Sequence, residues 1–366
     1  MKRYGNLWDT LVSWPNLLLA ARKARTGKRR RPVVARFELQ REWHLLKLRD
    51  ELQAEIYTPR SFTTHRITHP KPRLISAAPY RDRVVHHAIM NVLMPLMDQR
   101  LHPSCFACRQ AKGTHAAARH VQIMAARNRY AWHADIRSFF PSIDHAILKQ
   151  LVRRLIKDCR FLALLDRVID YSNDQDPVEI YFPGDTLFTP MERRRGLPIG
   201  NLTSQWLANW YLNGMDHLIT SHLRHGCYAR YCDDFVVMGN CETQLRAVRR
   251  DVVAYLATLR LQLHPKKDMI SPIRAGITFV GYRIWPSQIK VRRVTVRRFF
   301  KRLRWIRKHF ETGALSRDEV RTRVHGFLGH VLPVQGVSFR KAVVRKWRAF
   351  AKTKTQTQSR ANKTNK

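Results

Sequence analysis

Apolar residues recur along this chain at two spacings, and the switches between them mark out the elements. Phe37, Leu45, Leu48, Leu52 and Ile56 fall at helical intervals, which predicts one amphipathic helix over residues 36 to 57. From Ser61 to Ala78 (SFTTHRITHPKPRLISAA) the chain turns β-like and Pro-punctuated, a hairpin with Arg66, Lys71 and Arg73 near its turn. Tyr130, Trp132 and Ala134 alternate with His133 and Asp135, a strand ending near Phe140. Pro141 and the capping Asp144 then open a helix whose stripe is Leu148, Leu151, Val152, Leu155 and Ile156. After a loop rich in Asn, Asp, Pro and Gly (172 to 196), a second helix runs from about 204 to 219 with Leu207, Trp210, Tyr211 and Leu218 on one side. Two short runs, Tyr228 to Cys232 and Phe235 to Met238, are separated only by Asp233 and Asp234, which is hairpin spacing with acids at the tip. Leu245, Val248, Val252, Leu256 and Leu259 form a third helix, and 277 to 284 reads as a strand or hairpin arm.

Strand, helix, helix, hairpin, helix, strand is the order of an α+β layer with helices on one sheet face. From residue 286 onward, 23 Lys and Arg stand against 3 acids on helical patterns such as Arg297 to Phe310, a small basic helical domain. The polar residues 352 to 366 read as a disordered tail.

Charge narrows the function. With 68 Lys and Arg against 27 Asp and Glu, a formal net charge of +41 points to a polyanionic partner, and nucleic acid is the expected one. No stretch approaches the ~20 apolar residues of a membrane-spanning helix, and the N-terminus lacks the apolar run of a secretory signal, so the expectation is an intracellular protein. Six irregularly spaced cysteines suit reduced thiols. Cys105 and Cys108, with His115 and His120 downstream, have a spacing that suggests zinc, but no second Cys pair exists and both histidines lie in an Ala-rich helical pattern. A structural role is expected for them.

The acids are the anomaly in so cationic a chain. Asp135 at a strand end and Asp233 and Asp234 at a hairpin tip are placed for adjacent strands to bring three carboxylates together. Such a set can hold two Mg²⁺ ions ~3.5–4 Å apart for in-line phosphoryl displacement. The bland reading is a polar Asp-Asp turn in a structural RNA-binding protein, for which the charge and aromatics would serve equally. That reading leaves the clustered acids unexplained, because outward carboxylates weaken RNA binding unless metal offsets them.

The context of YCDD (231 to 234) favours the catalytic reading. DIRSFFPSID (135 to 144) and GLPIGNLTSQWLANWYL (196 to 212) precede it, the finger motif KPRLISAAPYRDR comes earlier, and FVGY (279 to 282) follows. In content and order this series resembles reverse transcriptases over about residues 33 to 290. The resemblance implies a right-hand polymerase with fingers, a ferredoxin-like palm and an α-helical thumb. It divides the chain into an N-terminal extension (1 to 60), fingers and palm (61 to 285), thumb (286 to 350) and tail (351 to 366). It puts the catalytic carboxylates at Asp135, Asp233 and Asp234, with the backbone carbonyl of Ile136 as an auxiliary metal ligand. Phe140 falls on the aromatic that blocks a 2′-hydroxyl, Lys71 and Arg73 on cations for the triphosphate, and Ile199 and Gly200 in the nucleotide pocket. Lys267 falls on a lysine that could protonate pyrophosphate, with Lys266 an equal neighbour on spacing alone. Phe279, Val280, Gly281 and Tyr282 fall on the primer grip.

One departure sorts the family further. Most reverse transcriptases carry a Gln and a Ser-Pro where this chain has Ile199 and Ser204-Gln205. That variant is similar to the enzymes of diversity-generating retroelements, which copy a template-repeat RNA with errors at adenines and partner a helical, oligomeric accessory variability protein. Ile cannot supply the hydrogen bonds of Gln, a physical route to misincorporation. The alternative is a retron-like or intron-type enzyme, including phage defence. The length past the palm argues against an appended nuclease, integrase or RNase H domain.

Overall fold

In a computed structural model of the chain, the residues described are 3–67, 72–172, 180–331, 341, 344 and 345. The Pro-punctuated stretch forms β1 (Thr63–Ile67) and β2 (Arg73–Ala77), antiparallel with Ile67 opposite Arg73. β1 is exposed along its whole length, so the pair projects as a finger with only its second strand packed.

The central sheet is built from β3 (Tyr130–Asp135), β4 (Tyr228–Tyr231), β5 (Asp234–Gly239) and β6 (Met269–Pro272), antiparallel in the order β4-β5-β3-β6. The first strand of the four therefore lies between the third and the fourth, with the second at an edge. Helices His145–Arg153, Cys159–Asp170 and Leu202–Tyr211 intervene between β3 and β4, and Glu242–Thr258 between β5 and β6. This is a ferredoxin-like palm, and the fold is α+β.

Both sheet faces are covered. Trp132, Ala134, Tyr228, Phe235 and Val237 join the main core with Leu207, Tyr211, Leu245 and Val252. Ala131, Ala229, Val236 and Met238 face the other way, against Ala117, Ala118 and Val121 of helix Thr114–Ala125. The expectation of helices on one face only is thus corrected. β5 is buried along nearly its whole length and so reads as a continuous apolar run, which period-2 alternation cannot assign to one side.

Two other expectations change. The helix expected over 36 to 57 is two, Pro32–Leu39 and Arg41–Gln53, because Gln40 leaves the helical region (φ −122°, ψ 40°). The helix expected over 204 to 219 is divided into Leu202–Tyr211 and Asn213–His217, followed by a wider π turn at Leu218–His222. Ahead of the finger, helix Trp14–Arg25 lays Leu17, Ala20, Ala21 and Ala24 against helix Tyr80–Asp98, and these residues share the palm's core.

After β6 comes a three-stranded sheet of β7 (Ile277–Phe279), β8 (Tyr282–Ile284) and β9 (Ile289–Val291). Helices Arg293–Glu311 and Arg317–Val331 then pack together through Phe299, Leu303, Ile306, Val320 and Val324. The tail expected at 351 to 366 lies outside the described residues, as does Lys71. Among the described residues no helix is long and apolar enough to cross a membrane.

Candidate active site

Alternation along β3 leaves Asp135 at the strand's end, directly opposite Asp234 at the start of β5. Cross-strand partners in an antiparallel pair point to one face, so these two carboxylates are neighbours. Tyr231 pairs with Asp234, which makes Cys232-Asp233 the two-residue turn. The turn sits one residue earlier than the sequence suggests, and Asp234 belongs to the strand. Cys232 holds φ 62°, the left-handed region where glycine is favoured at this turn position. The Ile136 N–H donates to the Asp233 carbonyl at 3.2 Å, tying the turn to the end of β3.

Two side chains engage the acids. Lys267 Nζ bonds Asp135 Oδ2. Its loop is fixed by the His264 N–H donating to the Asp135 carbonyl at 2.7 Å, and by Asp268, which accepts from the Trp132 indole at 2.8 Å and from Arg249. Lys267, rather than Lys266, therefore reaches the acids. On the other side His133 Nε2 lies 2.6 Å from Asp234 Oδ1. Sequence reasoning passed over His133, although its i, i+2 relation to Asp135 puts both on one face.

Burial, followed by the charge of Asp135 and then of Asp234, pushes the Asp233 carboxyl up to about 6, with Lys267 opposing. No set of three His, Cys, Asp or Glu side chains among the described residues is arranged to hold a metal ion. The donor set is still of the kind a hard divalent cation takes, carboxylate oxygens in a like-charged cluster.

Around the acids, Phe139 is buried at 3% exposure while Phe140 is half-buried, so one of the pair serves the core and the other is open to a ligand. The Phe140 carbonyl accepts from the Leu197 N–H at 2.9 Å, which brings GLPIGN alongside. The Ile199 carbonyl accepts from the Ser76 N–H at 3.0 Å, and Asn201 Oδ1 from the Ala78 N–H at 3.3 Å, so this loop is stitched to β2, the strand that begins at the exposed Arg73. Gly200 has φ 120°, and a Cβ there would stand 3.3 Å from Ile75 Cγ2. The positive φ is what favours glycine there, and the Ile75 side chain would have to give by a few tenths of an ångström to admit a Cβ.

Phe279 and Tyr282 face each other across a turn whose two residues, Val280 (φ 42°) and Gly281 (φ 89°), are left-handed. That geometry is a type I′ hairpin, and a β-branched residue in it is strained. Tyr282 Oη lies 2.9 Å from His330 Nδ1, so the hairpin is fastened to helix Arg317–Val331. The hairpin's first strand docks on β3 and β5. The Cys and His residues of the zinc spacing are not gathered: Cys105 is buried and Cys108 exposed, His115 lies by the His330 carbonyl and His120 by the Tyr228 carbonyl.

Comparison with known proteins adds three findings. The family described as reverse transcriptase (RNA-dependent DNA polymerase) matches residues 66–284. Protein YkfC of Escherichia coli (strain K12) is 26% identical over 279 residues, 65% of this chain and 70% of that protein. Among solved structures, an apo telomerase from Candida tropicalis truncated from its C-terminal domain aligns at TM-score 0.44 and 14% identity, over 63% of this chain and 54% of that one. The chain thus spans about half the length of that telomerase, a likeness too distant to bear on function.

Proposed function

The chain belongs to the reverse transcriptase (RNA-dependent DNA polymerase) family, and from that premise we propose that it extends a DNA primer along an RNA template, with Asp135, Asp233 and Asp234 as its catalytic carboxylates. The observation that carries the reading is the register of β3 on β5, which sets Asp135 against Asp234 beside the Asp233 turn.

Magnesium fits this donor set, and Asp135, Asp233, Asp234 and the Ile136 carbonyl are the groups to hold it. When bound, two such ions lower the pKa of the primer 3′-hydroxyl and neutralise charge on departing pyrophosphate. The chain's own residues do the rest. Lys267 carries a proton beside Asp135 and is the group to hand it to pyrophosphate. His133 orients Asp234 through Oδ1. Arg73, with Lys71, binds the triphosphate from the finger, Arg by two parallel hydrogen bonds. The strained Val280-Gly281 hairpin holds the primer end, and the basic helices beyond it form the thumb.

The test is direct: purified protein, an RNA template, an annealed DNA primer, dNTPs and Mg²⁺ give extension to the template end, and no extension on any RNA defeats the reading. Phe140 supplies a second. As the residue that excludes a 2′-hydroxyl, its replacement by Ala lowers the preference for dCTP over CTP in kcat/KM by about 10- to 200-fold, the range that steric discrimination supplies. An unchanged ratio removes Phe140 from sugar selection.

For the finer function we favour a diversity-generating retroelement enzyme that copies a template-repeat RNA for mutagenic retrohoming, with adenine errors and a helical, oligomeric accessory protein as partner. Support comes from Ile199 and Ser204-Gln205 in LPIGNLTSQ. Because Ile199 meets the finger through its backbone carbonyl, Ile199→Gln changes the pocket's chemistry without loosening that contact. The variant is expected to lower adenine misincorporation in sequenced cDNA, and an unchanged adenine error excludes Ile199 as its source. A retron-like or intron-type enzyme is equally compatible with the carboxylate site, and paired near-identical repeats differing at adenines in the neighbouring DNA distinguish the two.

A further inference from the structure

A charged residue stands inside the β4 run that leads to the catalytic turn. Arg230 is fully buried, as is its partner Asp216 at the end of the helix pair that follows GLPIGN. All five guanidinium N–H groups have acceptors. Nε donates to Asp216 Oδ1 at 2.7 Å and Nη2 to Asp216 Oδ2 at 2.6 Å. Nη1 donates to Asn209 Oδ1 and Nη2 to the Asn209 carbonyl, both at 3.2 Å. The remaining Nη1 hydrogen goes to the Cys232 carbonyl at 3.0 Å.

The main chain of Arg230 is held as firmly. Its N–H donates to the Ser104 carbonyl, and its carbonyl accepts from the Phe106 N–H, both at 2.9 Å. Tyr228 Oη closes the network on Asp216 Oδ1 at 2.6 Å. Burial obliges the fifth guanidinium hydrogen to find an acceptor, and the one it takes is the Cys232 carbonyl, on the turn residue with φ 62°. Left to itself, a cysteine in that position relaxes toward negative φ and carries the following carboxylate with it.

We propose that Arg230 is a positioning residue: it clamps the Cys232 carbonyl so that the Cys232-Asp233 turn keeps its left-handed form and presents Asp233 beside Asp135. It acts through the turn and touches no substrate. The inference rests on the polymerase reading above.

Two variants test it. Arg230→Lys keeps a positive charge against Asp216, but a single ammonium cannot bridge Asp216, Asn209 and Cys232 together. Its kcat for single-nucleotide incorporation is expected to fall about 100-fold, the loss from ~1 Å of misplacement. KM for dNTP and affinity for primer–template stay near wild type, and the Mg²⁺ concentration for half-maximal rate rises. Adding Cys232→Gly, which accepts the left-handed turn unaided, restores about tenfold of the lost rate in that background. The pair Arg230→Met with Asp216→Leu replaces the buried ions by apolar groups of similar size, a change that commonly leaves a fold standing. It is expected to behave like Arg230→Lys and to be rescued by the same glycine.

A folded variant of either kind with wild-type kcat and Mg²⁺ requirement overturns the proposal, as does a rate that Cys232→Gly leaves where it was. If wild type extends no primer, the polymerase reading fails instead. If wild type polymerises and the variants match it, this inference alone fails.

Discussion

Asp233→Asn is expected to reduce RNA-templated primer extension by about 10³-fold or more, the consequence of losing several kcal/mol of charge stabilisation at the reacting phosphoryl group. The substitution is nearly isosteric, and it keeps the Asp233 carbonyl that accepts from the Ile136 N–H. The loss therefore comes from charge and not from folding. Stability separates the two effects. The pKa of Asp233 is raised, so its ionised form is the disfavoured one in the metal-free fold, and removing the charge leaves the metal-free Tm unchanged or higher. Single-turnover incorporation with thermal unfolding alongside checks both. A variant within tenfold of wild type removes Asp233 from catalysis.

The largest expected loss of stability lies one layer behind. Asp216→Ala strands the Arg230 guanidinium with no anion at a site where neither side chain has any exposure. Leaving such a charge unpaired costs about 3–5 kcal/mol, a large part of the ~5–15 kcal/mol that holds a typical domain together. The exposed pair Arg250–Asp251, at 3.6 Å, is the control. Asp251→Ala should change stability by no more than ~1 kcal/mol. Denaturant unfolding of both compares them, and equal midpoints for the two contradict the buried-pair account.

The site was legible where its determinants are local. Asp135 could be placed at a strand end because Tyr130, Trp132 and Ala134 alternate, and the hairpin because two apolar runs abut two acids. The turn was misplaced by one residue because nothing in cysteine's identity announces a left-handed backbone. His133 and Lys267 escaped pairing for a different reason. Their partners Asp234 and Asp135 are 101 and 132 residues away, and only the sheet register brings them together.

Arg230 illustrates a signal that was present. It interrupts the otherwise apolar run Tyr228 to Cys232, and a guanidinium in a buried strand demands an acid nearby. The identity of that acid depended on how the chain divides after Tyr211, which periodicity alone extended into one helix. In the fold, the N-terminal packing was hidden because Ala20, Ala21 and Ala24 give little hydrophobic contrast. Helix Tyr80–Asp98 buries residues on most of its circumference and so lacks a single stripe. At Gln40 the pattern continues straight through the break, because both short helices bury the same side toward the core.

The claim everything else depends on is that Asp135, Asp233 and Asp234 together gather divalent cations. Mn²⁺ binding followed by electron paramagnetic resonance, with RNA–DNA primer–template and a non-hydrolysable dNTP present, addresses it without relying on turnover. Wild type is expected to bind two ions tightly, and Asp135→Asn and Asp233→Asn each to lose at least one of them. Undiminished binding of both ions after either carboxylate is neutralised contradicts the account.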